Sequence, residues 1–194
     1  VAQGLANAHA TARRNWYGYF GTPTALFDGG SAYAGDANVE AEYRARLQAR
    51  LDVGAPLSVD ADAALARAGA VVSVRATVTQ APGETVPSPA ECLVRVALFE
   101  EDVVHCCDSE GGNVFPHVGR FLTDGVVLDL SAGGAQTFAE EIPLDPAWST
   151  ANLRAVAFVQ RGTDREVLNA SPAAALEPSA VDTTSWGRIK ALHR

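Results

Sequence analysis

The chain has 194 residues, 47% of them hydrophobic, with 15 Lys and Arg against 23 Asp and Glu for a formal net charge of −8. A chain this long buries a hydrophobic core without metal or disulfide staples, which excludes disorder throughout. Its acidity leaves no basic footprint for nucleic acid or an anionic lipid surface, so neither is expected as a partner.

No apolar run approaches the ~20 residues of a membrane-spanning helix, and no charged-then-apolar leader stands at the start. No transmembrane segment is expected, and a leader was either removed or never present. Leu5, Ala8, Ala12 and Trp16 fall at three-to-four spacing and predict a first helix within about the first sixteen residues. An aromatic cluster, Trp16-Tyr17-Gly18-Tyr19-Phe20, leads to Gly21-Thr22-Pro23-Thr24, a short apolar strand, and Asp28-Gly29, which reads as a hairpin bend. A second helix is predicted from about Asn38 to Leu51. Val39, Tyr43, Leu47 and Leu51 repeat every four residues, Asp36 or Asn38 can cap the start, and Gly54 with Pro56 ends it.

From Leu57 the hydrophobic period changes to two. Val72, Val74, Ala76 and Val78 alternate with Ser73, Arg75, Thr77 and Thr79, and Cys92, Val94, Val96 and Leu98 continue the theme. Further runs lie at 103–107, 117–122, 126–130, 136–144, 153–160 and 166–170. Seven or eight short strands between turn residues predict an antiparallel sandwich, because two such sheets bury each other's apolar faces. After Ala170 the composition becomes linker-like. The last nine residues regain apolar and basic character, and a helical Trp186, Ile189 and Leu192 face would suit docking in a groove. A frayed tail and a terminal sorting segment are the other two readings of it.

Three cysteines, Cys92, Cys106 and Cys107, form neither a zinc spacing nor an even disulfide framework. If Glu100 and Glu101 make a two-residue hairpin tip, Cys106 faces Arg95 and Cys107 faces Val94. Cys92 then lies too far along the strand for an unstrained bond to either. A vicinal Cys106–Cys107 disulfide, a bond to Cys92 and free thiols all stay open. Glu100, Asp102 and Asp108 make an oxygen-rich loop that would suit calcium, against the plainer reading of a solvated hairpin tip, and the spacing is not that of a helix-flanked calcium loop. His117 and Arg120, three apart on a strand, point to opposite faces and cannot form one site. No nucleophile with an oxyanion-holding glycine motif stands out, so no catalytic residue and no cofactor are assigned.

Two family resemblances rest on these motifs. Gly21-Thr22-Pro23-Thr24, with the strand ending in Asp28-Gly29 and the helix from Asn38, resembles the cis-proline segment of the thioredoxin fold. The resemblance covers residues 1–52 and implies the C-terminal half of such a domain, with Thr22 and Pro23 as the structural cis-proline loop. The first half, which would carry a redox Cys-x-x-Cys, has no counterpart here. An incomplete sheet of this kind implies a lost N-terminal portion or self-association as a homo-oligomer.

Residues 71–170 resemble the C-terminal domain of the 28-kDa outer membrane protein family. The matching stretches are Leu98 to Val104, Asn113-Val114-Phe115-Pro116-His117-Val118-Gly119-Arg120, Ala147-Trp148 with Asn152 to Gln160, and Glu166 to Ala170. That resemblance implies an exported immunoglobulin-like sandwich, with His117 and Arg120 as a structural pair of the family motif.

The expected organisation is therefore a partial thioredoxin-like module at 1–52, a β-sandwich at 53–170 and a linker with tail at 171–194. The expected function is that of an envelope or secreted, non-enzymatic binding protein, meeting an unidentified protein or cell-surface ligand. The alternative is a redox-active envelope protein whose Cys-x-x-Cys half is missing from this chain.

Overall fold

A computed structural model of the chain describes residues 7–19, 24–34, 39–66, 70–105, 113–173 and 177–178. Helix α1 runs Ala8–Tyr17. The Asn7 side chain accepts the Ala10 amide at its start, and Gly18 closes it at φ 74, a left-handed conformation open to glycine without steric cost. Strands β1 (Thr24–Phe27) and β2 (Ser31–Ala34) pair antiparallel around the expected Asp28-Gly29 bend. Helix α2 spans Val39–Leu51, with Glu40 and Glu42 in its first turn and Arg50 in its last, which complements the helix dipole. Its four-residue stripe packs mainly at Tyr43, whose ring meets Phe27 at 5.2 Å and Tyr33 at 5.8 Å edge-on. Leu47 and Leu51 remain 54% and 78% exposed.

The other described residues are mainly β, in two sheets. One contains β5 (Cys92–His105), β6 (Asn113–Leu122), β7 (Val126–Val127), β9 (Leu153–Arg161) and β10 (Val167–Pro172), ordered β10-β9-β5-β6 with β7 also on β5. The other contains β3 (Leu57–Ala66), β4 (Val71–Gln80), β8 (Ala135–Pro143) and β11 (Glu177–Pro178), ordered β11-β3-β4-β8. All described pairings are antiparallel except that of β11 with β3. One core joins the sheets. Val72, Val74, Ala76 and Val78 of β4 share it with Cys92, Val94, Val96 and Leu98 of β5 and with Leu153, Ala155, Ala157 and Val159 of β9. Burying each Val or Leu stabilises by roughly 1.5–3 kcal/mol, so these three alternating strands dominate the packing.

One expectation fails here. Glu100 and Glu101 are not a hairpin tip: β5 continues through them to His105 and returns only at Asn113. The predicted facing of Cys106 with Arg95 and Cys107 with Val94 falls with it, since Arg95 pairs with Phe158, and Val94 with Val159 and Val126. The β5–β6 register slips by one residue, with Leu98 opposite Phe121 but Phe99 opposite Gly119, so Arg120 is the extra residue of a β-bulge.

Candidate functional site: the cleft beside the first helix

Helix α1 lies on the sandwich along the face that carries His9, Ala12, Arg13, Trp16 and Tyr17, residues three and four apart. Gln160 of β9, only 1% exposed, ties that face down. Its amide nitrogen donates to the Tyr17 hydroxyl at 2.9 Å and the Arg165 carbonyl at 2.6 Å, and its oxygen accepts from Arg13. A buried amide needs such partners, so Gln160 fixes where the helix sits. Arg13 also donates to the Tyr17 hydroxyl at 2.7 Å.

Around Trp16 three guanidinium groups converge. The central carbons of Arg13, Arg95 and Arg165 lie 4.5, 5.7 and 5.6 Å from the indole centroid, within cation–π range. Arg95 donates to the Thr123 carbonyl at 2.9 Å, and Arg165 to the Tyr17 carbonyl at 3.2 Å. The Arg95 Nε is buried with no hydrogen-bond partner among the described residues. Burial lowers the pKa of Arg13, and the neighbouring Arg95 lowers it further against the opposing effect of Tyr17. Burial likewise lowers that of Arg95, with Asp124 and Tyr17 pulling the other way. The charged forms are retained at some cost.

Arg13, Trp16 and Arg95 line a cavity of about 130 Å³ with His9, Leu122 and Asp124. An adjoining chamber of about 220 Å³ shares His9, Leu122, Thr123 and Asp124 and adds Phe121, Val126 and Glu140. The His9 ring, which lines both chambers, rests 4.3 Å from that of Phe121. A larger groove, about 660 Å³, runs between the end of α2 and β10, with Leu47, Leu51, Val53, Pro87 and Leu168 on its walls.

Of the residues singled out from sequence, Glu100 and Arg120 meet each other. The bulge turns Arg120 inward, where its Nε and Nη2 each lie 2.8 Å from Glu100 Oε2, while the Ser149 amide donates to Glu100 Oε1 at 3.0 Å. Both carboxylate oxygens are thus engaged in the interior, which corrects the reading of Glu100 as a calcium ligand in a loop. Asp102 is exposed within β5 at φ 52. Among the described residues no three His, Cys, Asp or Glu side chains are grouped to hold a metal. His117 is exposed and sets its ring 5.6 Å from Phe99, apart from Arg120. Cys92 is a buried free thiol whose pKa burial raises. Thr22, Pro23, Cys106, Cys107, Asp108, Trp186, Ile189 and Leu192 lie outside the described residues.

Sequence reasoning missed Arg13, Arg95 and Arg165. The signal for the first was present: His9, Arg13 and Trp16 recur at helical spacing beside the stripe of Ala8 and Ala12.

No helix among the described residues is long and apolar enough to cross a membrane. No protein-family model matches the chain, and no curated protein matches it. Among solved structures it is similar to a domain of the outer membrane lipoprotein Omp28 from Porphyromonas gingivalis, at 20% identity and a TM-score of 0.43, over 66% of this chain and 95% of that one.

Proposed function

We propose that the protein is an exported, non-enzymatic binding protein of the bacterial cell envelope or of the secreted fraction, acting through a cleft where its N-terminal part meets an immunoglobulin-like sandwich. The observation that carries the binding role is the arginine cluster beside α1: Arg13, Arg95 and Arg165 surround Trp16, and Arg13, Arg95 and Trp16 line a cavity, in a chain of net charge −8. Local positive charge against an acidic background concentrates an anionic ligand group where α1 meets the sandwich. The envelope location rests on the likeness of residues 71–170 to the outer membrane protein family.

A second reading has its own support. The order α1-β1-β2-α2 is the one expected of the C-terminal half of a thioredoxin-like domain, so a redox-active envelope protein with its Cys-x-x-Cys half elsewhere is the alternative. Fractionation of the native cells, with protease applied to intact cells, tests the location: recovery in the envelope or the medium is expected, and recovery in the cytosol overturns it. A disulfide-exchange assay on the full gene product separates the two readings. Turnover there removes the non-enzymatic one.

A further inference from the structure

The charges in the cleft beside α1 are not consumed by docking the helix. Among the described residues, the side-chain hydrogen bonds of Arg13, Arg95 and Arg165 go to neutral acceptors: the Gln160 oxygen and Tyr17 hydroxyl, the Thr123 carbonyl, and the Tyr17 carbonyl. The remaining Nε of Arg95 is buried and unpartnered among the described residues. A carboxylate is the group that completes a guanidinium fork, because its two oxygens match the donors in plane and in charge.

The opposite sign is present in the same chamber, where Asp124 lies near enough to Arg95 to raise its pKa. Asp124 borders both chambers and Glu140 lines the second, and neither has a hydrogen bond or salt bridge among the described residues. Phe121 and Val126 supply apolar surface to the second chamber. A second negative charge on the ligand would be repelled by Asp124, which disfavours dianions such as phosphate or sulfate. A positive one would be attracted. Chambers of about 130 and 220 Å³ suit a ligand of amino-acid size and not the side of a polymer.

We propose that this two-chambered cleft binds a small zwitterionic ligand, with its carboxylate on Arg13 and Arg95, its ammonium toward Asp124 and Glu140, and its apolar part against Phe121. The proposal rests on the binding role assigned above and gives it a ligand class.

The test is a heteronuclear NMR titration of the purified chain, reading the Trp16 indole N–H and the Arg95 Nε, with L-phenylalanine, phenylpropionate and phenethylamine as probes. L-Phenylalanine is expected to shift both signals saturably in the millimolar range. Phenylpropionate should bind about tenfold more weakly, the loss of one charge-assisted contact, and phenethylamine should leave both signals in place. Arg95→Gln should weaken L-phenylalanine by at least about tenfold, with its folding checked by the thermal midpoint. Asp124→Asn, at an exposed position, should reduce L-phenylalanine to the level of phenylpropionate, and this variant decides the matter if Arg95→Gln does not fold. Silence of Trp16 toward all three probes at tens of millimolar overturns the proposal, as does undiminished binding by Arg95→Gln. Equal affinity for L-phenylalanine and phenylpropionate overturns the zwitterion assignment. Binding is measured on the isolated chain, so a cytosolic location would sink the envelope reading while leaving this result untouched.

Discussion

At the scale of single residues, the interior ion pair shows how a local irregularity selects a charge partner. Arg120 turns inward because it is the extra residue of the β5–β6 bulge, and its target, Glu100, lies on the neighbouring strand at 6% exposure. Removing one member of such a pair leaves the other as an uncompensated buried charge, which typically costs about 3–5 kcal/mol. Arg120→Met is expected to leave Glu100 facing the Ser149 amide alone and to destabilise by that order, read as a lowered urea midpoint at unchanged slope. A midpoint within experimental error of the parent would show that the pair contributes nothing to stability. The same residues explain one failure of sequence reading. Glu100, Glu101 and Asp102 look like a solvated tip because a run of like charges usually is one. What buries Glu100 is an arginine 20 positions away, placed by a one-residue register slip that no local pattern announces.

At the scale of elements, the strands with clean alternation were legible and the diluted one was not. Val72 to Val78 and Cys92 to Leu98 place every second residue in the core, whereas β3 fills its positions with Ala and Asp, so its alternation is faint although the change of period at Leu57 is visible. The candidate cleft was illegible for a different reason. His9 and Arg13 sit beside the apolar stripe that ends in Trp16 and read as solvent-facing until Gln160 and Arg95, from strands far along the chain, come to meet them. The β1–β2 hairpin is held to the sandwich through its tip. Gly29 sits at φ 76, and a Cβ there would fall 1.9 Å from the Arg165 carbonyl oxygen and 2.8 Å from Gln160 Nε2. Gly18, at φ 74, has nothing within 4 Å of the same added atom. Gly18→Ala is therefore expected to cost only the left-handed backbone penalty, about 1–2 kcal/mol. Gly29→Ala adds a clash with backbone that must move, so it should lower the thermal midpoint further and expose the hairpin to proteolysis. Equal midpoints for the two variants would show that the tip is not seated against the β9–β10 turn.

At the scale of the whole molecule, a chain of charges joins the N-terminal part to the sandwich. Asp28 pairs with Arg50 at 2.7 Å, Arg50 with Glu166 at 2.8 Å, Glu166 with Arg161, and Arg161 with Asp164 at 2.6 Å. Exposed ion pairs contribute only about 0–1 kcal/mol each, but this series crosses from α2 to the β9–β10 turn and acts alongside the hydrogen bond that the Val167 N–H donates to the Asp28 carbonyl. Asp164 closes the series on the sandwich side. The Arg161 hydrogen bond lowers the Asp164 pKa against a smaller opposing effect of burial, and the Glu166 amide lowers it further. A carboxyl group with a depressed value in the folded state stabilises above the unfolded-state value, and that contribution is lost as pH falls through the folded one. The Arg161–Asp164 pair should therefore hold at neutral pH, begin to weaken as pH falls below the ordinary carboxylate value of about 4, and be lost below Asp164's own, lower value. Pepsin digestion across this range measures the release, since freeing α2 opens the segment around Leu51 and Val53 that leads into β3. Cleavage there is expected to rise steeply on acidification in the parent. In Asp164→Asn it should be elevated already at the upper end of the range and change less with pH, because the titrating group is gone. The same steepness in both proteins would remove Asp164 from the account and leave the hydrogen bonds of Gln160 as the principal tie between the two parts.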